Sequence, residues 1–533
     1  MGFHCVNCGG SMVFDVALQQ MRCEHCDTTM APHEFDVRER GIAQDTRYTQ
    51  MTRFSCQNCG AELASTDDSL VGFCPYCGGQ SMVGTQADGA EVERIIPFRV
   101  DKKGCTESYA SFARRILYLP REFKDTQYLQ RFTGIYMPYF EYDAEVLRAE
   151  VMGEKTVEHN SRYDVVNTYR YDATIDGKFR RGAPFDASRY LDDEISDRVL
   201  PFDTSREVPF NAAYLAGFYA DASSVSPTLY YNDASTQVNA NVVGAMTEEV
   251  VARDGVKVKD LHTVESKVIA HHSTLFPMWF LTWRKDDRVA YAVVNGESGK
   301  VVSDLPLDLR AFAVGSAIIS AVIFALLELF VQPTPLVTSL ISLGAAVLMV
   351  QGVRSGAKRV YDTQVHTWDK GWNSANGVIS DAQKNAHRSL RASKKFSVVG
   401  FLGNVISIAF VVFVGFFMLR SFFRSTDSVI GIVTLILPVV SLCFAGRLLY
   451  QVLKWHKSVK LTHGIISAVV LLVTMILTSV IIIVSPVNDG WYYLGDAVCI
   501  VGLIVAAVSM IRVFNLGTTR PLPKLFDREE VSS

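Results

Sequence analysis

The chain has 533 residues, 49% of them hydrophobic and 20% charged, with a formal net charge of -3. That length admits several domains, and the apolar excess points to a membrane. The small net charge hides a polarised molecule: residues 1–90 carry five arginines, no lysine and eleven acids, whereas residues 310–533 carry twenty basic and ten acidic residues. Nucleic-acid binding draws on Lys and Arg neutralising phosphates, so an acidic N-terminal region argues against that class.

Eight of the eleven cysteines fall into two copies of one pattern. Cys5, Cys8, Cys23 and Cys26 make the first, and Cys56, Cys59, Cys74 and Cys77 the second, with fourteen residues between the inner pair of each. Two thiols two residues apart can face one point from a turn, and two such turns complete a tetrahedron around Zn²⁺. Glycines follow Cys8, Cys59 and Cys77, and Asp27 follows Cys26 in place of glycine. Two structural zinc ions are expected, because a closed four-thiolate set leaves no position for substrate or water. Iron is the rival metal, since Cys74-Pro75-Tyr76-Cys77-Gly78 also looks like a rubredoxin knuckle and four thiolates suit either ion. Disulfides would need an oxidising compartment, and Met1–Ser11 has neither the basic start nor the apolar run of a secretory leader. His4, His25 and His33 are read as bystanders.

In chain order, residues 1–30 are the first zinc ribbon, 31–54 a polar linker with a short helix at most, and 55–84 the second ribbon. Residues 91–309 form a β-rich α+β region. Ile95–Val100 reads as a strand, Lys102–Leu119 as an amphipathic helix, and Phe132–Tyr142 as an aromatic strand whose rings belong to a core. Tyr163–Phe179 alternates toward a turn at Asp176-Gly177. Asn232–Arg253 has helical spacing, and Phe276–Trp283 is expected to pair with Arg288–Val294. Gly296-Glu297-Ser298-Gly299-Lys300 lacks the first glycine of a phosphate loop and reads as a hairpin turn.

The paired ribbons, the Gly134–Phe140 stretch and the Phe276–Pro306 segment together resemble a poorly characterised family of bacterial membrane-anchored zinc-ribbon proteins, with ribbons of the TFIIB-type or PriA-like kind. The resemblance covers about residues 1–309. It implies C-terminal membrane helices and, for some relatives, a role anchoring cytosolic partners in envelope-stress assemblies. It implies no catalytic residue.

From Ala311 the chain turns lipid-like. Apolar stretches at about 311–332, 335–353, 396–419, 429–449, 464–485 and 494–511 predict a six-helix all-α transmembrane domain over 310–512. The loop 354–395 holds nine basic and three acidic residues. Positive-inside counting places it, the ribbon head and the tail 513–533 in the cytosol, making a multi-pass protein of the cell membrane. The loop suits anionic lipid head groups, or alternatively the acidic head of the same chain. Glu328 and Asp496 are placed near the outer helix ends, in reach of water. Cys443 and Cys499 read as small packing residues.

The multidomain reading is a membrane-anchored cytosolic zinc-ribbon scaffold or adaptor with a cytosolic protein partner. The alternatives are a transporter or channel-like protein with a regulatory zinc head and, third, a nucleic-acid-binding ribbon protein. No nucleophile, general base or phosphate site is recognisable, so an enzyme is not expected.

Overall fold

Short alternating strands open the chain. In β1 (Met12–Asp15) every other residue is buried, and β2 (Gln20–Cys23) answers with Met21 and Cys23 inward. With β3 (Thr29–Met30) they make a three-stranded antiparallel sheet, the first ribbon. The structure is a computed structural model that describes residues 3–34, 50–66, 74–79, 82–88, 92–159, 164–173, 178–179, 182, 184–330, 334–367, 369–375 and 427–522.

The second ribbon begins earlier than the sequence suggests, because β4 (Gln50–Cys56) takes in the end of the expected linker. It pairs with β5 (Glu62–Ser65) and β6 (Met82–Asp88). Among the described residues the ribbon is one end of a larger sheet joining fourteen strands. β7 (Arg94–Ile95) is shorter than predicted; Pro97, which has no N–H to donate, follows two residues later. Helix α1 (Lys102–Arg115) stops before Leu119, its N-terminus capped by the Asp101 side chain accepting from Gly104 N at 2.7 Å.

The centre is the antiparallel pair of β8 (Thr133–His159) and β14 (Lys257–Lys285). β9 (Asp164–Ala173), β10 (Lys178–Phe179) and β11 (Phe185–Asp186) pair with β8. The turn expected at Asp176-Gly177 lies outside the described residues. After α2 (Asp193–Val199), β12 (Val208–Pro209) pairs with β7, and β13 (Tyr219–Asp221) bridges β5 to β8. Helix α3 (Tyr231–Asp254) packs Val238, Val242 and Met246 against β8 residues. β15 (Arg288–Asn295) continues from β14 as the expected hairpin, and the Gly296–Lys300 turn leads into β16 (Val301–Asp304).

The near-continuous apolar run at Phe276–Trp283, interrupted by Thr282, has a simple cause: both faces of this sheet are covered. Trp279, Leu281 and Trp283 join a core with Met12, Phe14 and Met21 of the first ribbon and Tyr109 of α1. Phe276, Met278 and Phe280 join a second core with Phe54, Leu63 and Tyr76 of the second ribbon. The first ribbon thus packs on one face of β14, and the core of the second ribbon, itself the end of the sheet, lies on the other.

Beyond β16 come α4 (Leu309–Phe330), α5 (Pro335–Gln364), α6 (Asp427–His456), α7 (Thr462–Val484) and α8 (Gly490–Thr518). Among the described residues four helices are long and apolar enough to cross a membrane: Pro335–Gln364, Ile436–His456, Thr462–Val484 and Gly490–Thr518. The predicted stretch 396–419 lies outside the described residues, as does the side chain of Glu328, so the count of six remains an expectation. One placement is corrected. Asp496 does lie near the start of its helix, six residues after Gly490, but at 8% exposure it is packed among the helices and not open to water.

The helices and the head meet at one junction. Leu307 N donates to Asn515 Oδ1 at 2.8 Å and Asn515 Nδ2 donates back to Leu307 O at 2.9 Å, joining the way into α4 to the end of α8. The chain then returns as β17 (Arg520–Pro521) to pair with β15. Helix α5, about 45 Å long at 1.5 Å per residue, outruns a bilayer core of about 30 Å. Its end docks on the head. Asp304, at the end of β16, receives Arg198 of α2 at 3.1 Å, Arg359 of α5 at 3.2 Å and Arg520 of β17 at 3.5 Å. Lys370 pairs with Asp233, and its backbone N–H donates to Asp193 at 2.9 Å. Part of the basic segment 354–395 is therefore engaged by head carboxylates.

Candidate metal centres

Each sequence-predicted cysteine set comes together, with one sulfur from each of its four residues lying within 4.8 Å of the others. In the first, Cys5 and Cys26 sulfurs are 3.5 Å apart, as are those of Cys8 and Cys23. In the second, Cys56–Cys77 is 3.5 Å and Cys59–Cys74 is 3.7 Å. Four sulfurs on bonds of about 2.3 Å to a tetrahedral ion stand roughly 3.8 Å apart, and a disulfide needs about 2.05 Å. All eleven cysteines are unbridged, so the spacing fits a metal and not a cross-link.

The knuckles are built alike. Gly9, Gly60 and Gly78 adopt φ of +73°, +71° and +68°, the left-handed turn that lets the chain double back, and Asp27 holds the same region at +56°. Backbone N–H groups of Asn7, Gly10 and His25 point at Cys5, Cys8 and Cys23 sulfurs at 3.4 Å. Such donors favour thiolate over thiol.

Burial separates the two sets. Cys8 and Cys26 are exposed, whereas all four cysteines of the second set are buried. The Cys26 thiol is pulled down to about 6 by the Thr28 hydroxyl, 3.1 Å away, and by the Thr28 backbone N–H. In the second set hydrogen bonding among the sulfurs, led by Cys56, pushes Cys59 and Cys74 far up. A dication is what lets four such thiols ionise together.

The second knuckle is also bolted into the head. Tyr76 donates to Asp221 Oδ2 at 2.6 Å, and Ser188 donates to the same oxygen. Thr282 and Tyr291 donate to the carbonyls of Pro75 and Tyr76. Burial raises Asp221 to about 6 even with these donors. Sequence reading placed no weight on Tyr76; an aromatic between two ligands was the available signal.

A third group, Asp192, His366 and Asp369, also lies within 4.8 Å, beside a cavity of ≈ 450 Å³ between α2 and the end of α5. His366 Nδ1 is buried without a hydrogen-bond partner, but both oxygens of Asp192 are engaged. Asp192 Oδ1 caps α2 by accepting from Glu194 N at 2.9 Å, and Oδ2 pairs with Arg520 at 3.1 Å. This group is a lock between head and helices.

Comparison with known proteins yields no matching family model and no matching solved structure. The chain is 23% identical over 314 residues to the uncharacterised protein YdjG of Bacillus subtilis (strain 168), a match covering 58% of this chain and 90% of that protein.

Proposed function

We propose that this is a membrane-anchored scaffold whose zinc-binding head is held against one membrane face and offers the first ribbon to a cytosolic protein partner. The observation that carries it is the difference in setting of the two clusters. The second is buried in the head, while the first leaves Cys8, Cys26, Val6 (58% exposed) and Leu18 (52% exposed) on the surface. The ions are zinc, in keeping with closed four-thiolate sets, and serve structure. The Asp304 junction supports the anchoring part, since this head carboxylate takes Arg359 from the end of α5 and Arg520 from the segment just past α8. An envelope-stress assembly is the setting the family resemblance suggests for the partner.

The test is purification of the full chain in mild detergent with metal analysis. Two zinc ions per chain and a stoichiometric protein partner, lost in Val6→Asp/Leu18→Asp with both ions retained, are expected. Retention of the partner by that variant would sink the assignment of the first ribbon as the contact.

A transporter-like reading has one specific observation in its favour, the buried Asp496 in the bundle.

A further inference from the structure

An ionised side chain inside an apolar helix bundle is costly and needs compensation. Asp496 lies six residues into α8, about 9 Å along the helix at 1.5 Å per residue. Its Oδ1 is buried without a hydrogen-bond partner, and so are the hydroxyls of Ser339, Thr478 and Ser479. These three residues are 0%, 0% and 2% exposed. Of these, Thr478 has the Cys499 sulfur within reach, which leaves Asp496 Oδ1 and the hydroxyls of Ser339 and Ser479, on three helices, as orphans; that is unusual, since hydroxyls in apolar helices ordinarily bond back to their own turn.

Helix register brings them to one level. Helices α5 and α8 run in the same direction: Cys499 donates to Ser342 O at 3.6 Å, a Cβ on Gly352 would meet Met510 Sδ at 2.8 Å, and one on Gly356 would meet Val513 at 3.4 Å. Those pairs are offset by 157 or 158 positions, which sets Ser339 level with Asp496. Helix α7 runs the opposite way. A Cβ on Gly495 would meet Ile481 at 2.6 Å and one on Gly502 would meet Thr474 at 2.2 Å, so Ser479 and Thr478 lie one and two residues from the level of Asp496. Cys499 lies beside both Thr478 and Asp496.

We propose that Asp496, Ser339, Thr478 and Ser479 form a binding site for a small monovalent cation, of sodium type, inside the bundle. The donors are all oxygens, which suits a hard cation. One carboxylate balances one positive charge, and a dication would leave an uncompensated charge where the medium is apolar. The proposal goes beyond the anchored scaffold and requires only that the bundle sit in lipid.

The experiment uses the full chain in lipid nanodiscs, with sodium chloride exchanged for choline chloride at constant ionic strength. Modification of Asp496 by dicyclohexylcarbodiimide, read by mass spectrometry, is expected to slow at least tenfold in sodium. The Tm should rise with sodium in the wild type and lose that dependence in Asp496→Asn. Ser339→Ala and Thr478→Ala/Ser479→Ala should each move the protecting sodium concentration at least fivefold upward. Equal modification rates in sodium and choline overturn the proposal. Rates that follow pH but not sodium assign the site a proton and overturn it as well. Protection that survives both alanine variants unchanged places sodium elsewhere. Should the reagent never reach Asp496, the sodium dependence of Tm and its fate in Asp496→Asn decide alone. Failure of the chain to incorporate into nanodiscs speaks against the membrane reading, a separate outcome.

Discussion

The two cysteine clusters have the same spacing and the same knuckle turns, yet they sit in opposite circumstances. The first rests on one face of the head sheet through Met12, Phe14 and Met21, with half its thiols in solvent. The second is part of the sheet itself and of the core beneath it, and Tyr76, between its last two ligands, is tied to Asp221. Identical ligand chemistry therefore does two jobs: one cluster closes a core, the other shapes a surface.

The largest effect expected from breaking this asymmetry is at Cys74, which is 0% exposed. Cys74→Ser should cost several kcal/mol, of the order a structural metal contributes, and the head should become fully protease-sensitive. A protease-resistant Cys74→Ser head would show the second cluster to be dispensable. Next in size is Cys8→Ser, at an exposed ligand. It should remove one metal ion per chain while the second cluster keeps its own and the head stays folded, as checked by metal analysis with limited proteolysis. Chelator added to the wild type should give the same order, the first ion leaving at least ten times faster; simultaneous loss of both would erase the comparison.

Smaller again is Tyr76→Phe. It leaves Asp221 with Ser188 as a remaining side-chain donor, so a loss of about 1–3 kcal/mol in a denaturant titration is expected, with both metals retained. The smallest effect is a pH slope at His272, remote from both clusters. Burial opposes charge on this ring, but hydrogen bonds to Glu93 at 2.8 Å and to Asp143 outweigh it, so its pKa is raised above 6.5. That stabilisation is complete below about pH 6.5 and is lost as pH climbs through the raised value. Metal-thiolate stability runs the other way, falling as acid protonates the ligands. Melts of wild type and His272→Gln across pH 6–9 should converge at the alkaline end; a constant gap would remove His272 from the account.

Spacing made the two groups of four cysteines legible, because paired thiols on turns are what a tetrahedral ion demands. It could not tell which ribbon was core and which was rim, since that depends on contacts with Trp279 and Phe276 more than two hundred residues away. The hairpin at Phe276–Val294, the helix at Asn232–Arg253 and the turn at Gly296–Lys300 were readable from local pattern. Asp304 was not, because its three arginines come from α2, α5 and β17. Asp496 was read correctly as lying near a helix end but wrongly as open to water, because its burial depends on neighbouring helices that local hydropathy does not show.

One consequence concerns the order in which the molecule can be made. The edge of β15 at Arg288 and Val289 is covered by Pro521 and Arg520 of β17, and Arg288 also donates to Leu516 O at 2.7 Å. An uncovered strand edge invites pairing with the wrong chain. Until the last helix has been synthesised and its end has come back beside Leu307, that edge has no partner from β17. The sheet of a nascent chain thus keeps this edge open until α8 and β17 have been made, so completion of the head waits on completion of the helices.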